Sequence, residues 1–152
     1  MPSCLIICAV ISLSTGSSWT TSATVGIALI GIGKALGIPS GMVAGAVISG
    51  AYFGDKLSPL SDTTNLAPAV SKTDLFTHIR YLTITTVPTI LITLLILSTL
   101  NLFIEVNGST ENESMLNSIK NTFYISPFLF TVPMVVVFMI FKKTPPLIAL
   151  FI

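Results

Sequence analysis

The longest apolar stretch of the chain runs from Ile79 to Ile104, and after Arg80 it contains no charged residue. A transmembrane helix needs about 20 apolar residues, so this stretch is long enough to span a bilayer with some tilt. Pro88 lies inside it and is expected to kink the helix. A second apolar stretch, Ile125 to Phe141, is predicted to return across the membrane. The sequence therefore predicts an all-α polytopic membrane protein.

Composition supports a lipid-embedded chain. Hydrophobic residues make up 52% and charged residues 9% of the sequence, whereas a soluble domain carries about 25% charged residues. We therefore interpret residues 1–152 as a single membrane domain in contact with the lipid bilayer. The net charge of +1 gives no electrostatic basis for binding nucleic acid. Cys4 and Cys8 lie in an apolar helical run, four residues apart, and we expect no disulfide between them.

The two ends of the chain suggest an incomplete protein. Leu5 to Leu13 is an apolar run too short to span a bilayer alone, and another apolar run begins after Pro145 and Pro146 and stops at Ile152. We expect the chain to be an internal fragment, or a truncated copy, of a longer protein, in which case it need not be active alone.

Basic residues predict the orientation in the membrane. Lys72 and Arg80 precede the long apolar segment, and a pair of lysines lies within residues 142–146. Because basic residues favour the cytoplasmic side, we place residues 142–146 in the cytoplasm and the acidic loop 105–121 outside. The predicted location is the plasma membrane.

An uncharged polar stretch, Ser12 to Thr24, separates two apolar segments and surrounds Trp19 with serines and threonines. Two interpretations remain open. It is either an interfacial loop with Trp19 in the aromatic belt, or non-helical backbone at membrane depth, which is tolerated where it is buried or lines a cavity.

Two short apolar segments follow, Val25 to Ile38 and Met42 to Phe53, and Pro39 and Gly41 lie in the break between them. We predict a hairpin of short helices around residues 25–68. Glycines spaced four apart allow helix backbones to approach closely in lipid, and this spacing occurs at three pairs: Gly33/Gly37, Gly41/Gly45 and Gly50/Gly54.

The segment from Gly54 to Pro68 concentrates oxygen-bearing side chains. It contains Asp55, Asp62, Asn65, four hydroxyls and two prolines that interrupt helical hydrogen bonding and free backbone carbonyls. Hard cations prefer such oxygen ligands. The alternative interpretation is structural: both carboxylates lie at the interface and cap helices, while Lys56 extends to the surface or pairs with Asp55.

A carboxylate inside the membrane is a candidate functional group, because charge at the bilayer centre costs about 2.5–3.5 kcal/mol on insertion scales. Burial also disfavours the charged form of a carboxyl group. A proton and a sodium ion would then compete for the same oxygens, and competition at a site that opens alternately to each side is sufficient for exchange.

Three sequence blocks are specific: Gly50–Pro68, Thr15–Trp19 followed by Val25–Ala28, and Asp74–Phe76 followed by His78–Arg80. Together they resemble the NhaC family of sodium/proton antiporters. The resemblance is strong over residues 10–90 and looser beyond.

This resemblance implies a larger secondary transporter that exports sodium in exchange for protons, with inverted repeats and broken helices that meet near the midplane. It implies a sodium site at Asp62 and Asn65, with Asp62 as the shared proton and sodium ligand and Lys56 as a modulating residue. No cofactor is expected beyond the transported Na+ and H+, and a homo-oligomer is compatible with the sequence. The further candidate ligands are Asp55, Ser61, Thr63 and Thr64, with Ser17, Ser18 and Thr20 facing them from the first polar stretch.

The same residues suggest two rival functions. Relatives of the family exchange organic acids such as malate and lactate, and Lys56 or the hydroxyls could receive their carboxylate. An intramembrane protease is disfavoured: Tyr52 stands where the aspartyl type has glycine before Gly54-Asp55, and the Thr15–Ser18 block lacks the closing glycine of the serine type. We therefore expect a transporter rather than an enzyme.

Overall fold

The computed structural model describes residues 1–103, 126, 128 and 131–142. Within these residues the chain is helical and forms no β-strand. The helices are α1 (Pro2–Thr15), α2 (Ser18–Thr21), α3 (Ile27–Ala35), α4 (Ser40–Leu57), α5 (Asp62–Ser71), α6 (Leu75–Leu102) and α7 (Thr131–Phe141). Helix α2 continues through a π-helical turn, Ser22–Gly26, into α3.

Helix α4 packs along α1 through its glycines. A Cβ atom on Gly50 would lie 2.9 Å from the carbonyl carbon of Leu5, and one on Gly54 would lie 2.5 Å from the backbone nitrogen of Leu13. The backbones can meet this closely because no side chain separates them. Ser12 adds a buried hydrogen bond of 2.6 Å from its hydroxyl to the Ala51 carbonyl. The core around this contact includes Leu5, Cys8, Val43, Ala46, Val47 and Ala51.

The glycine prediction is confirmed at three of its six positions. Gly33 on α3 accommodates Val43 of α4, as Gly50 and Gly54 accommodate α1. At Gly37, Gly41 and Gly45 a Cβ would meet no described residue within 4 Å, so close packing is not confirmed there. Gly41 and Gly45 lie on the exposed face of α4. Gly37 instead has a φ of +75° in the turn of the predicted hairpin.

Helix α6 is the described helix that is long and apolar enough to cross a membrane. It begins at Leu75, four residues before the predicted start, because Asp74 caps it: its carboxylate accepts a hydrogen bond of 2.9 Å from the Thr77 backbone nitrogen. Pro88 lies inside α6. About half of its apolar side chains are exposed, while the face toward α4 contributes Ile90, Leu94 and Leu97 to the core.

The second predicted spanning segment is represented by α7, which packs against α1. The predicted segment begins at Ile125, whereas the described helix begins at Thr131. Lys142 follows α7 and places its ammonium 4.9 Å from the ring centre of Phe138. The predicted outer loop 105–121 and residues 143–146 lie outside the described residues. Cys4 and Cys8 are both free thiols, as expected.

Candidate functional site

The first polar stretch is interrupted at only two residues, Gly16 and Ser17. Gly16 ends α1 in the left-handed conformation with a φ of 70°, and its N–H donates a hydrogen bond of 2.8 Å to the Ser12 carbonyl. Ser17 is extended and caps α2, its hydroxyl accepting a hydrogen bond of 3.2 Å from the Thr20 backbone nitrogen. The rest of Ser12–Thr24 is helical. The interpretation as a loop is therefore wrong, and a short non-helical break remains.

A π-helical turn at Ser22–Gly26 follows this break. Such turns are rare and occur often at functional sites. Thr21 is buried and donates to the Ser17 carbonyl at 2.8 Å, whereas Trp19 is 82% exposed. The segment thus presents a buried hydroxyl face toward α4 and an aromatic face away from the core.

The second polar stretch is interrupted between α4 and α5, at Ser58 to Ser61. Ser58 and Ser61 are fully buried. Ser58 accepts a hydrogen bond of 3.2 Å from the Leu60 backbone nitrogen, and Ser61 caps α5 by accepting one of 3.5 Å from the Thr64 nitrogen. These hydroxyls satisfy the backbone groups that the break releases.

The two breaks meet in space. A Cβ atom on Gly16 would lie 2.6 Å from the Leu60 carbonyl carbon and 2.8 Å from the Ser61 nitrogen. Ser18, the first residue of α2, donates a hydrogen bond of 2.7 Å to Asp55 Oδ2 near the end of α4. The two polar stretches therefore meet through Gly16 against Leu60 and Ser61, and through Ser18 against Asp55. The expected approach of Ser17, Ser18 and Thr20 to residues 62–65 stays a prediction.

Helix α5 is fastened to the end of α4 by two side chains. The Thr64 hydroxyl lies 3.2 Å from the carbonyl oxygens of Asp55 and Lys56, to which it donates. The Asn65 amide donates to the carbonyls of Pro59 at 2.7 Å and of Ser61 at 2.6 Å. Since both donations come from Nδ2, the Oδ1 atom of Asn65 keeps its lone pairs for another partner.

The two carboxylates have different environments. Asp55 is half-buried, and its Oδ1 atom is buried with no hydrogen-bond partner among the described residues. Asp62 is the exposed first residue of α5, and its Oδ1 accepts a hydrogen bond of 2.7 Å from the Thr63 nitrogen. A buried acceptor without a partner is costly, and of the two carboxylates Asp55 is the one with such an oxygen among the described residues.

The remaining predicted residues occupy the rim of this site. Thr63 is exposed and its hydroxyl lies 2.9 Å from that of Ser61, while the Ser17 hydroxyl lies 3.0 Å from that of Thr20. Lys56 is exposed and forms no ion pair with Asp55. Of its two alternatives, extension to the surface therefore fits the structure, and pairing with Asp55 is wrong.

Sequence reasoning did not single out Thr86 as a functional residue. Its hydroxyl oxygen is buried without a partner among the described residues, and Thr86 and Lys56 line the same cavity between α4 and α6. A threonine inside an apolar helix usually donates its hydroxyl to a carbonyl of the preceding turn. The sequence therefore does not reveal that the Thr86 hydroxyl lacks such a partner.

Broken helices that meet at a polar cluster, packed through glycines beside a membrane-length apolar helix, are typical of secondary transporters. Comparison with known proteins gives the family. The profile of the Na+/H+ antiporter family matches residues 50–152, and the chain belongs to this family. Its members are transporters rather than enzymes.

Curated relatives extend the match over almost the whole chain. The chain is 43% identical to the Na(+)/H(+) antiporter NhaC of Alkalihalophilus pseudofirmus, over 94% of this chain and 31% of the relative. It is 42% identical to the malate-2H(+)/Na(+)-lactate antiporter of Bacillus subtilis, over 93% of this chain and 31% of the relative. It is 40% identical to the arginine/ornithine antiporter ArcD of Halobacterium salinarum, over 91% of this chain and 29% of the relative.

The chain thus spans about a third of the length of these relatives. No solved structure matches it.

Proposed function

We propose that this chain forms the ion-binding part of a sodium/proton antiporter, which exchanges Na+ for H+ by alternating access. Membership of the Na+/H+ antiporter family and 43% identity to an NhaC antiporter support this proposal. The chain is one membrane domain of a longer transporter in the plasma membrane, and its broken helices form part of an inverted-repeat fold.

The environment of Asp55 is the observation that carries the proposal. Ser18 holds one carboxylate oxygen at 2.7 Å, and the other is buried without a partner. Burying a charge without compensation is unfavourable, and either a proton or a sodium ion supplies the compensation. Each excludes the other from the same oxygen, which is the competition that exchange requires.

Neutral oxygens complete the proposed shell. The Ser18 hydroxyl donates its proton to Asp55 and so keeps its lone pairs for a cation. Asn65 Oδ1 is a further candidate, since the amide nitrogen makes both hydrogen bonds of that side chain to the break before α5. Oxygen ligands of this kind suit a hard cation.

Asp62 has a different proposed role from the one that the sequence suggests. Its exposure at the start of α5 favours a place at the mouth of the site, where it attracts sodium together with Thr63. The transported ion then moves to Asp55. The resemblance implies Asp62 as the shared ligand, and the geometry favours Asp55 instead.

The exchange step balances in charge at the carboxyl group. When the site faces the cytoplasm, the carboxyl proton of Asp55 leaves to that side and Na+ binds the carboxylate. After the site opens to the outside, a proton binds Asp55 and Na+ leaves. Since Thr64 joins Asp55 to α5 through backbone carbonyls, α4 and α5 move together during this change.

Sodium-induced proton movement in proteoliposomes tests the proposal. The chain replaces the matching segment of the Alkalihalophilus NhaC antiporter, and a pH-sensitive dye inside the vesicles reports protons after sodium is added. Proton movement without any organic acid supports sodium/proton antiport. A chimera that moves no protons under any of these conditions would contradict it.

Exchange of an organic acid is the second candidate function. The 42% identity to a malate/lactate antiporter and the cavity beside Lys56 favour it. Proton movement that requires added malate or lactate would assign this function instead.

A further inference from the structure

Two polar stripes face each other across a cavity between α4 and α6. The polar residues that line this cavity are Ser49, Tyr52 and Lys56 of α4 and Thr86, Thr89 and Thr93 of α6. On both helices they recur every three to four residues, so each set occupies one helix face. Apolar side chains of α6 such as Leu91 and Leu95 are exposed and lie on other faces of the helix. Helix α6 therefore turns these three threonines toward α4 rather than toward lipid.

The cavity between α4 and α6 offers both donors and acceptors of hydrogen bonds. Thr89 donates to the Thr85 carbonyl at 2.8 Å and Thr93 to the Thr89 carbonyl at 2.9 Å, which leaves both hydroxyls as acceptors. Ser49 and the Tyr52 hydroxyl make no hydrogen bond within the part of the chain that the structure describes, so they are free to donate. A water molecule in a protein needs two to four polar partners, and a mixed lining of this kind supplies them.

Lys56 gives an independent reason for water in this cavity. Charged side chains of membrane helices usually face the protein interior or a water-filled cavity, and Lys56 forms no ion pair with a described residue. The cavity has a volume of about 200 Å³. Since one water takes up about 30 Å³ in the liquid, there is room for several waters around the ammonium group.

Tyr52 connects this cavity to the Asp55 carboxylate. The same side chain lines a second cavity of about 280 Å³ together with Ser18 and Ser22. The Ser18 hydroxyl in turn donates to Asp55 Oδ2 at 2.7 Å. Because a phenol hydroxyl both donates and accepts, Tyr52 is suited to join the waters of the two cavities. A continuous polar path thus leads from Lys56 past Tyr52 to Asp55.

We propose that water fills both cavities and forms the route by which Asp55 exchanges its proton, with Tyr52 as the residue that joins the two parts. The inference deepens the proposed function and rests on it for the role of Asp55. It adds a path for protons that is separate from the sodium entry at Asp62.

The proton step on this route makes and breaks only O–H bonds. A hydronium ion in the second cavity gives a proton to the Ser18 oxygen, while the Ser18 hydroxyl passes its own proton to Asp55 Oδ2. The water and the serine are restored and the carboxylate becomes neutral. Release of the proton follows the same steps in reverse.

Thiol labelling tests for water in the cavity without requiring transport. The NhaC chimera carries alanine in place of Cys4, Cys8 and the cysteines of the recipient antiporter, and it is treated in lipid nanodiscs with a water-soluble methanethiosulfonate. Thr89→Cys places a thiol in the cavity. Leu91→Cys is the matched control, because both side chains are exposed in the chain and, of the two, Thr89 lines the cavity.

We expect Thr89→Cys to react about 10-fold faster or more than Leu91→Cys, since the reactive thiolate forms in water and is disfavoured in apolar surroundings. Equal rates at the two positions, or a faster reaction of Leu91→Cys, would overturn the inference. Fast labelling of Thr89→Cys in a chimera that moves no protons would contradict the proposed function and still support water in the cavity.

Tyr52→Phe tests the link between the two cavities. The substitution removes a hydroxyl that has no partner among the described residues, so the fold should be retained. We expect the initial rate of sodium-induced proton flux to fall by about 2- to 10-fold, the factor that one hydrogen bond is worth. The sodium concentration for half-maximal flux should stay the same, whereas a general disturbance of the site would change both. Tyr81→Phe, at an exposed tyrosine of α6, is the control, and equal rates in the two variants would overturn the role of Tyr52.

Discussion

The hydroxyl of Ser18 donates a hydrogen bond of 2.7 Å to Asp55 Oδ2, and the two residues lie 37 positions apart in the sequence. Ser18 begins the helix after the first break, and Asp55 lies in the last turn of α4 before the second. The bond orients the carboxylate so that its other oxygen, Oδ1, is the buried one without a partner.

Ser18→Ala is predicted to weaken sodium binding while leaving the fold in place. A hydrogen bond to a charged group contributes about 1.5–3 kcal/mol, so the sodium concentration that gives half-maximal proton flux should rise by about 10-fold. Ser14→Ala is the matched control, because its hydroxyl makes only a local bond of 2.8 Å to the Ile11 carbonyl. An unchanged sodium dependence in Ser18→Ala would contradict this role.

Gly54→Ala is predicted to destabilise the contact between α1 and α4. The added Cβ would lie 2.5 Å from the Leu13 nitrogen and 2.8 Å from the Ser12 Cβ, so the helices must separate. Overpacking of this kind costs about 1–3 kcal/mol. Thermal unfolding in detergent should show a lower midpoint.

Gly45→Ala is the control for that experiment, since a Cβ there meets nothing within 4 Å. Removing a glycine from a helix interior is worth about 0.5–1 kcal/mol, so its midpoint should stay level or rise. A fall equal to that of Gly54→Ala would refute the packing argument.

Gly16→Ala is predicted to lower stability more than Gly37→Ala. Both glycines have positive φ angles, of 70° and 75°, and the left-handed conformation costs alanine about 1–2 kcal/mol. Only at Gly16 would the new Cβ also collide, at 2.6 Å from the Leu60 carbonyl carbon. The difference between the two unfolding midpoints measures the contact between the breaks, and equal midpoints would argue against it.

Thr64→Val is predicted to loosen α5 from α4 and to slow exchange. The substitution keeps the shape of the buried side chain and removes its donations to the Asp55 and Lys56 carbonyls, at a cost of about 0.5–1.5 kcal/mol. Initial rates of sodium-induced proton flux should fall. Thr83→Val is the control, because the Thr83 hydroxyl bonds only the Ile79 carbonyl on α6, and this variant should exchange at the unsubstituted rate. Equal rates in the two variants would contradict a role of Thr64 in holding α5 against α4.

Much of the fold follows from local sequence. The apolar length of Ile79 to Ile104 predicts α6, and Pro39 with Gly41 predicts the break before α4. These predictions succeed because the signals are carried by neighbouring residues. The start of α6 is shifted to Leu75 since the capping side chain of Asp74 decides it, rather than hydrophobicity.

The pairing within the site does not follow from sequence. Both Asp55 and Asp62 lie in the same oxygen-rich segment, and only the fold places Asp55 against Ser18 while it leaves Asp62 exposed. The glycine pairs behave similarly. The four-residue spacing of the glycines indicates a helix face on which two backbones can approach closely. Which glycines lie at a contact depends on which face α4 turns toward its neighbours.

The most direct test of the central claim compares Asp55→Asn with Asp62→Asn in the proteoliposome assay. Asparagine keeps the size of the side chain and removes the charge that binds either a proton or sodium. We predict that Asp55→Asn abolishes sodium-induced proton flux, whereas Asp62→Asn retains flux with a higher sodium requirement. Flux in Asp55→Asn with unchanged sodium dependence would contradict the assignment of Asp55 as the shared ligand.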